Sequence, residues 1–503
     1  MDLIVEIIET LSPDDRKDFS VFLKRHKNIK DRKDLELFDL LSRKGKIKRD
    51  DLLLKLYPGD KNLEAYHATR KRLIRQLMEY LQLKKKKGET VSEGYILNLI
   101  STAEYLLDNE KLEAAWNMLK QAEELAKKAE NYSILNTIFS IEIENSQRES
   151  APDLKILLEQ KRKYQQLAIE DDNANIANQL IRYELNKSLS TGKEINIDAI
   201  IKDVLKQYGL EDIVIQRPRL MYNIVSITRS AVLAGKQFYT FEPYLIAKYN
   251  EIEKGTGFNK YTHFYKVNFM YMIAHVLYRN KKFEKAESYL KLLYGGLEEY
   301  NRSHYSLLYP KYVLLLAAVC NYSGRSAAAI ELLEKLVNNK KIKLNTAQLL
   351  NAYLNLSTYY FQQEAYQKSI RVFQNVQHSD QWLMRVMGFE WVFKKNIIEC
   401  INQFELGNSD IVEQRLKGID KNFKEYFNRD LYRRVGVFLS LVRKLNDKPD
   451  IATTKEFQIL VDNSFEFIDI NREDIQAITF YGWLKAKMQR RKYYEVLLEL
   501  VKN

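Results

Sequence analysis

Apolar residues at three- and four-residue spacing, the signature of a helix with one buried face, predict five helices before residue 88. Ser12-Pro13-Asp14-Asp15 offers a capping hydroxyl, a proline for the first helical position and acids that suit the helix dipole. Further helices are expected over about 31–43, 49–56 and 61–83, separated by Gly45 and by Pro58-Gly59-Asp60. The basic run Lys84 to Lys87 and the polar stretch Gly88 to Glu93 form the one strong compositional break. It divides the chain into a basic helical domain, residues 1–90, and a long remainder, residues 91–503.

The remainder repeats itself. Residues 270–293 read MYMIAHVLYRNKKFEKAESYLKLL, with Ala274 in a first helix, a polar turn, Phe283, then Ala286 and Leu290 in a second helix. Ala103, Leu112, Ala115 and Leu119 occupy these roles in an earlier segment, Ala317, Gly324, Ala329 and Leu333 in a later one, and Ser357, Tyr366, Ser369 and Phe373 in the next. Small residues are needed where two antiparallel helices approach closely. Ala286, Ala329 and Ser369 lie 43 and 40 residues apart. The same period places weaker markers at Leu157, Ala199 and Phe241, and later ones near Val412, Phe457 and Val496, about ten helical pairs altogether. Pro243 would then have to open its helix.

This pattern of a small residue in each helix, a polar turn and an aromatic before the second helix resembles the tetratricopeptide repeat. The period here is longer than the 34 residues of the standard unit. The resemblance implies an all-α protein: a right-handed superhelical α-solenoid of antiparallel helix pairs, whose first helices line a concave binding groove, behind the small N-terminal helical domain.

Composition agrees. The 503 residues hold only 17 Gly and 7 Pro, too few turn formers for a sandwich, a barrel or a run of βα units. Charged residues at 29% and apolar ones at 46% exclude a disordered tail. The longest apolar run, Tyr312 to Cys320, is nine residues, against the ~20 that a membrane span needs. The acidic start and two cysteines in apolar helical stretches, Cys320 and Cys400, fit a reduced, cytoplasmic setting without a secretory signal.

Chemistry is sparse. There is no phosphate-binding GxxxxGK[ST] loop and no HExxH, the six histidines nowhere pair at metal-ligand spacing, and neither cysteine has an activating histidine nearby. No catalytic residue, metal or cofactor is therefore expected. The unusual feature is 33 Tyr and 22 Phe, densest from Phe258 to Phe283. In the repeat register Asn268, Tyr271, His275, Tyr278 and Arg279 fall on the exposed face of a first helix, toward the groove. Tyrosines there either fill gaps between long helices or contact a ligand, for which their large area and polar tip are suited.

The charge is uneven. Of the net +13, the stretch from Arg43 to Lys87 carries +10, from fifteen basic and five acidic residues. Three helices joined by short turns, the last basic, resemble a helix-turn-helix or winged-helix unit. On a helical wheel Tyr66, Leu73, Ile74, Leu77, Met78 and Leu81 share the apolar side of that last helix, with Arg70 near its middle. Lys71, Arg72 and Arg75 face outward and, with Lys84, Lys85, Lys86 and Lys87, are candidates for phosphate-backbone contact, which a steep loss of affinity with salt would mark.

The expected function is a non-catalytic scaffold or adaptor that binds a protein or peptide in the groove. The alternatives are a nucleic-acid or ribonucleoprotein-binding regulator using the basic front domain and, third, an enzyme of unrecognised type. Neither the partner's identity nor self-association is legible.

Overall fold

A computed structural model describes residues 3–502 apart from 12, 26–31, 43–48, 58–62, 87–92, 191–196, 236–237, 261, 340, 428–429 and 466–474. The described residues are almost entirely helical and contain no strand. They form two compact regions, residues 1–171 and 172–503. The boundary expected at 90 falls on residues outside those described.

The first region contains α1 (Leu3–Thr10), α2 (Pro13–Lys24), α3 (Lys33–Ser42), α4 (Arg49–Leu56), α5 (Leu63–Lys86), α6 (Glu93–Asp108), α7 (Leu112–Lys128), α8 (Tyr132–Glu144) and the start of α9 (Leu154–Ser190). Its apolar side chains form two clusters, one from Ile4 to Tyr80 and one from Ile96 to Tyr164. In α5 the buried positions are Tyr66, Thr69, Leu73, Gln76, Leu77 and Tyr80. This arc leaves Met78, assigned above to the apolar side, 48% exposed. Arg70, as its place on the wheel requires, is half-buried: its guanidinium lies 5.7 Å from the Tyr66 ring centre.

The second region continues with α10 (Ile197–Gln207), α11 (Glu211–Gln216), α12 (Pro218–Gly235), α13 (Phe238–Lys254), α14 (His263–Arg279), α15 (Phe283–Glu298), α16 (Tyr305–Tyr322) and α17 (Ser326–Asn338). It ends with α18 (Thr346–Gln362), α19 (Tyr366–Phe373), α20 (Asp380–Met387), α21 (Phe389–Glu405), α22 (Ser409–Phe427), α23 (Asp430–Asp447), α24 (Lys455–Ser464), α25 (Ile475–Gln489) and α26 (Tyr493–Lys502). Neighbouring helices pack in pairs, most extensively α6 on α7, α14 on α15, α16 on α17, α18 on α19 and α25 on α26.

The small residues explain the pairing. Ala103, Ala115, Ala274, Ala286, Ala317, Ala329, Ser357 and Ser369 are all fully buried. Where serines replace the alanines, their hydroxyls satisfy one another: Ser357 Oγ lies 2.8 Å from Ser369 Oγ, and Ser369 Oγ donates to the Ser357 carbonyl at 2.8 Å.

The turns also repeat. The backbone N–H groups of Lys111, Lys282, Arg325 and Ala365 each donate at 2.9 Å to the carbonyl five residues back, and the residue before each has a left-handed backbone. Those residues are Glu110, Lys281, Gly324 and Glu364, with φ of 55°, 60°, 87° and 59°. Gly407 continues the series with φ 75°. Few glycines thus do not mean few left-handed turns; charged residues take most of these positions.

Ala115, Phe241, Ala286, Ala329, Ser369, Val412 and Val496 are each the fourth residue of their helix, and each is buried. Ala199 is not: it lies in α10, and the buried fourth residue of the next helix, α11, is Val214, which follows its own left-handed glycine, Gly209. Pro243 does not open its helix either. It lies inside α13, near enough to the start that its missing N–H removes a single early hydrogen bond.

Candidate functional site

The repeat register determines what the first helices present. Counting back thirteen residues from the left-handed residues Lys281, Gly324, Glu364 and Gly407 reaches Asn268, Lys311, Asn351 and Lys394, an alternation of amide and ammonium. Counting back six reaches His275, Ala318, Thr358 and Ile401. A cavity of about 410 Å³ opens along these rows. Its walls are α14, α16, α18 and α21, each offering positions spaced three or four apart along one helix face: Tyr271, His275 and Tyr278; Lys311, Leu315, Ala318 and Tyr322; Asn351, Asn355 and Thr358; Glu390, Lys394, Ile398 and Ile401.

The C-terminal pair closes the far end. Thr479, Phe480 and Tyr493 line the cavity. The Tyr494 hydroxyl donates to the Asn321 carbonyl, Tyr322 Oη lies 3.3 Å from Thr479 Oγ1, and the rings of Phe361 and Tyr493 are 5.6 Å apart. Trp483 Nε1 donates to Glu405 at 2.6 Å and ties α25 to the end of α21.

One end is aromatic, with Tyr278, Tyr322, Tyr359, Phe361 and Tyr493, and the other is polar. Among the described residues the side chains of Asn351 and Asn355 make no hydrogen bond, and no carboxylate lies within ion-pairing distance of Lys311. The Lys311 ammonium is 5.9 Å from the centre of the Tyr271 ring, and the Arg229 guanidinium is also 5.9 Å from it. Burial and the charge of Arg229 push the Lys311 ammonium below its ordinary value. Burial, helped by Arg229 and Arg279, holds the His275 imidazole well below its own, so it is neutral near pH 7. His275 Nδ1 and Trp391 Nε1 are buried without a hydrogen-bond partner.

Of the five groove residues read from sequence, the structure brings Tyr271, His275, Tyr278 and Arg279 to this cavity, all partly buried. Asn268 corrects the expectation. It belongs to the polar row but is only 6% exposed, and its amide turns back to the Phe264 carbonyl at 2.8 Å. The sequence reading missed Lys311, Asn351, Asn355 and Lys394, although aligning the units on their turn residues exposes three of the four.

In the basic stretch, Lys71, Arg72 and Arg75 are exposed on α5, with Arg75 3.9 Å from Glu79. The side chains of Lys84, Lys85 and Lys86, and all of Lys87, lie outside the described residues. Among the described residues no cluster of three metal-ligating side chains occurs, and no helix is long and apolar enough to cross a membrane. Cys400 is in the small-residue register, seven before Gly407, and both cysteines are buried, with burial raising their thiols above the ordinary value. Comparison with protein-family models, with curated proteins and with solved structures found no match.

Proposed function

We propose that the chain is a non-catalytic scaffold, built as a tetratricopeptide-like solenoid, whose cavity along α14, α16, α18 and α21 holds an extended segment of a protein partner. One observation carries this reading. The side-chain amides of Asn351 and Asn355, one turn apart on α18, face a cavity and have no protein partner among the described residues. A carboxamide offers a donor and an acceptor, the complement of a peptide group, and a polar group held in a cavity unpaired wastes binding capacity that water meets only in part. The aromatic end supplies apolar area for an anchoring side chain at low entropic cost. A chain rising about 3.3 Å per residue would pass from one first helix to the next in roughly three residues, so repeated rows suit an extended ligand.

Affinity purification from the native cell with the wild-type chain and with Asn351→Ala/Asn355→Ala tests this. Both amides are partly exposed and unbonded, so the double variant should melt within a few degrees of wild type. It should nevertheless lose the protein that wild type retains. Equal recovery by both would overturn the reading.

A further inference from the structure

Two cations beside Tyr271 lack the ion-paired acids that accompany such charge elsewhere in this chain, although Glu390 also lines the cavity. Arg325 pairs with Glu287 at 2.6 Å, Arg443 with Asp420 at 2.7 Å, and Lys395 with Glu399 at 3.2 Å. Arg229 on α12 and Lys311 on α16 have no such partner among the described residues, and Arg229 Nε is buried without a hydrogen bond. Holding like charges together in a partly dehydrated site is unfavourable unless something of opposite sign joins them.

We propose that this end of the cavity is an oxyanion site built for a phosphate monoester, with Arg229 and Lys311 as its cations and the buried, unpartnered Nδ1 of His275 as a further polar contact. These groups come from three helices, α12, α14 and α16. A planar carboxylate suits one guanidinium edge, whereas a phosphate has three peripheral oxygens spread tetrahedrally and carries close to two charges near pH 7. With His275 neutral, a carboxylate would offset one of the two positive charges; a phosphate dianion offsets both. Depression of the Lys311 ammonium by burial and Arg229 agrees with a site that lacks its counter-charge. The source, free phosphate or a phosphorylated residue of a protein segment, is the one point that rests on the groove reading.

Calorimetric titration of the full-length chain with inorganic phosphate, with a Gly-Ser-flanked phosphoserine peptide and with its unphosphorylated form tests this. Saturable binding of inorganic phosphate is expected, weakening as salt rises. Lys311→Met and, separately, Arg229→Gln should weaken it at least about tenfold, while Lys335→Gln on the exposed face of α17 leaves it unchanged. Circular dichroism melts show whether each variant is folded, and the second variant serves if the first is not. Tighter binding of the phosphopeptide than of phosphate assigns a protein source; equal affinity assigns free phosphate. Absence of phosphate binding, or equal binding by wild type and both variants, overturns the proposal. Loss of partner recovery on Asn351→Ala/Asn355→Ala without any phosphate binding would leave the groove reading standing alone; the converse would leave only the oxyanion site.

Discussion

Trp483→Ala should lower the stability of residues 172–503 by about 3–5 kcal/mol, the usual effect of removing a fully buried aromatic side chain. Trp483 is 1% exposed, with its ring 5.4 Å from that of Phe404 and 6.0 Å from that of Phe438. Its Nε1 also satisfies Glu405, whose side chain is 9% exposed and which also pairs with Lys487. The alanine variant therefore leaves both a void and a buried carboxylate short of a donor. Trp483→Phe, which keeps most of the ring but not the N–H, should cost about 1–3 kcal/mol. Urea unfolding followed by circular dichroism measures both, and a loss under about 1 kcal/mol for the alanine variant would show that α25 is not anchored through this residue. Because α25 and α26 supply Thr479, Phe480 and Tyr493 to the cavity, the same variant should also weaken ligand binding there.

The second large effect is one of pH in residues 1–171. Glu142 is 4% exposed on α8, and burial, reinforced by Glu123 and opposed by Lys127, raises its carboxyl to about 7. A carboxyl raised in the folded state binds its proton more tightly there than in the unfolded chain. Its contribution is thus neutral at low pH, becomes unfavourable as pH rises from about 4.5 to about 7, and levels off at about 3 kcal/mol above that. Glu142→Gln, which mimics the protonated form, should stabilise this region by about 2–3 kcal/mol at pH 8 and leave it unchanged at pH 4. Hydrogen exchange of α8 amides at both pH values reads the difference. A variant less stable at both would mean that the ionised carboxylate makes a favourable contact.

Much of the fold was legible because the signals are local. Caps and periodicity locate α2 to α5 within a few residues, and small residues at fixed distances from a turn locate the pairs α14/α15, α16/α17 and α18/α19. Where the local signal is shared, the reading slipped. Ala199 satisfied the period, but the left-handed Gly209 places the turn later and makes Val214 the buried position. Met78 is at the margin of the α5 apolar arc, where a small rotation of the helix decides burial. Closure of the cavity by α25 and α26 depends on contacts such as Tyr494 to Asn321, 173 residues apart, which no local pattern encodes. The cavity was half visible: aromatic density drew attention to α14, but the hydrogen-bonding wall comes from single Lys and Asn residues that look ordinary until the units are aligned on their turns.

In the proposed function this cavity, and not the outer surface of the helix pairs, receives the protein partner. A photo-crosslinking amino acid at position 358, on the cavity wall, with the same group at position 292, where Leu292 is 55% exposed on α15, tests this most directly. After irradiation in the native cell, position 358 should give a discrete adduct with one segment of a second protein, and position 292 should not. Adducts at 292 alone, or none at 358 in a chain that still recovers its partner, would contradict it.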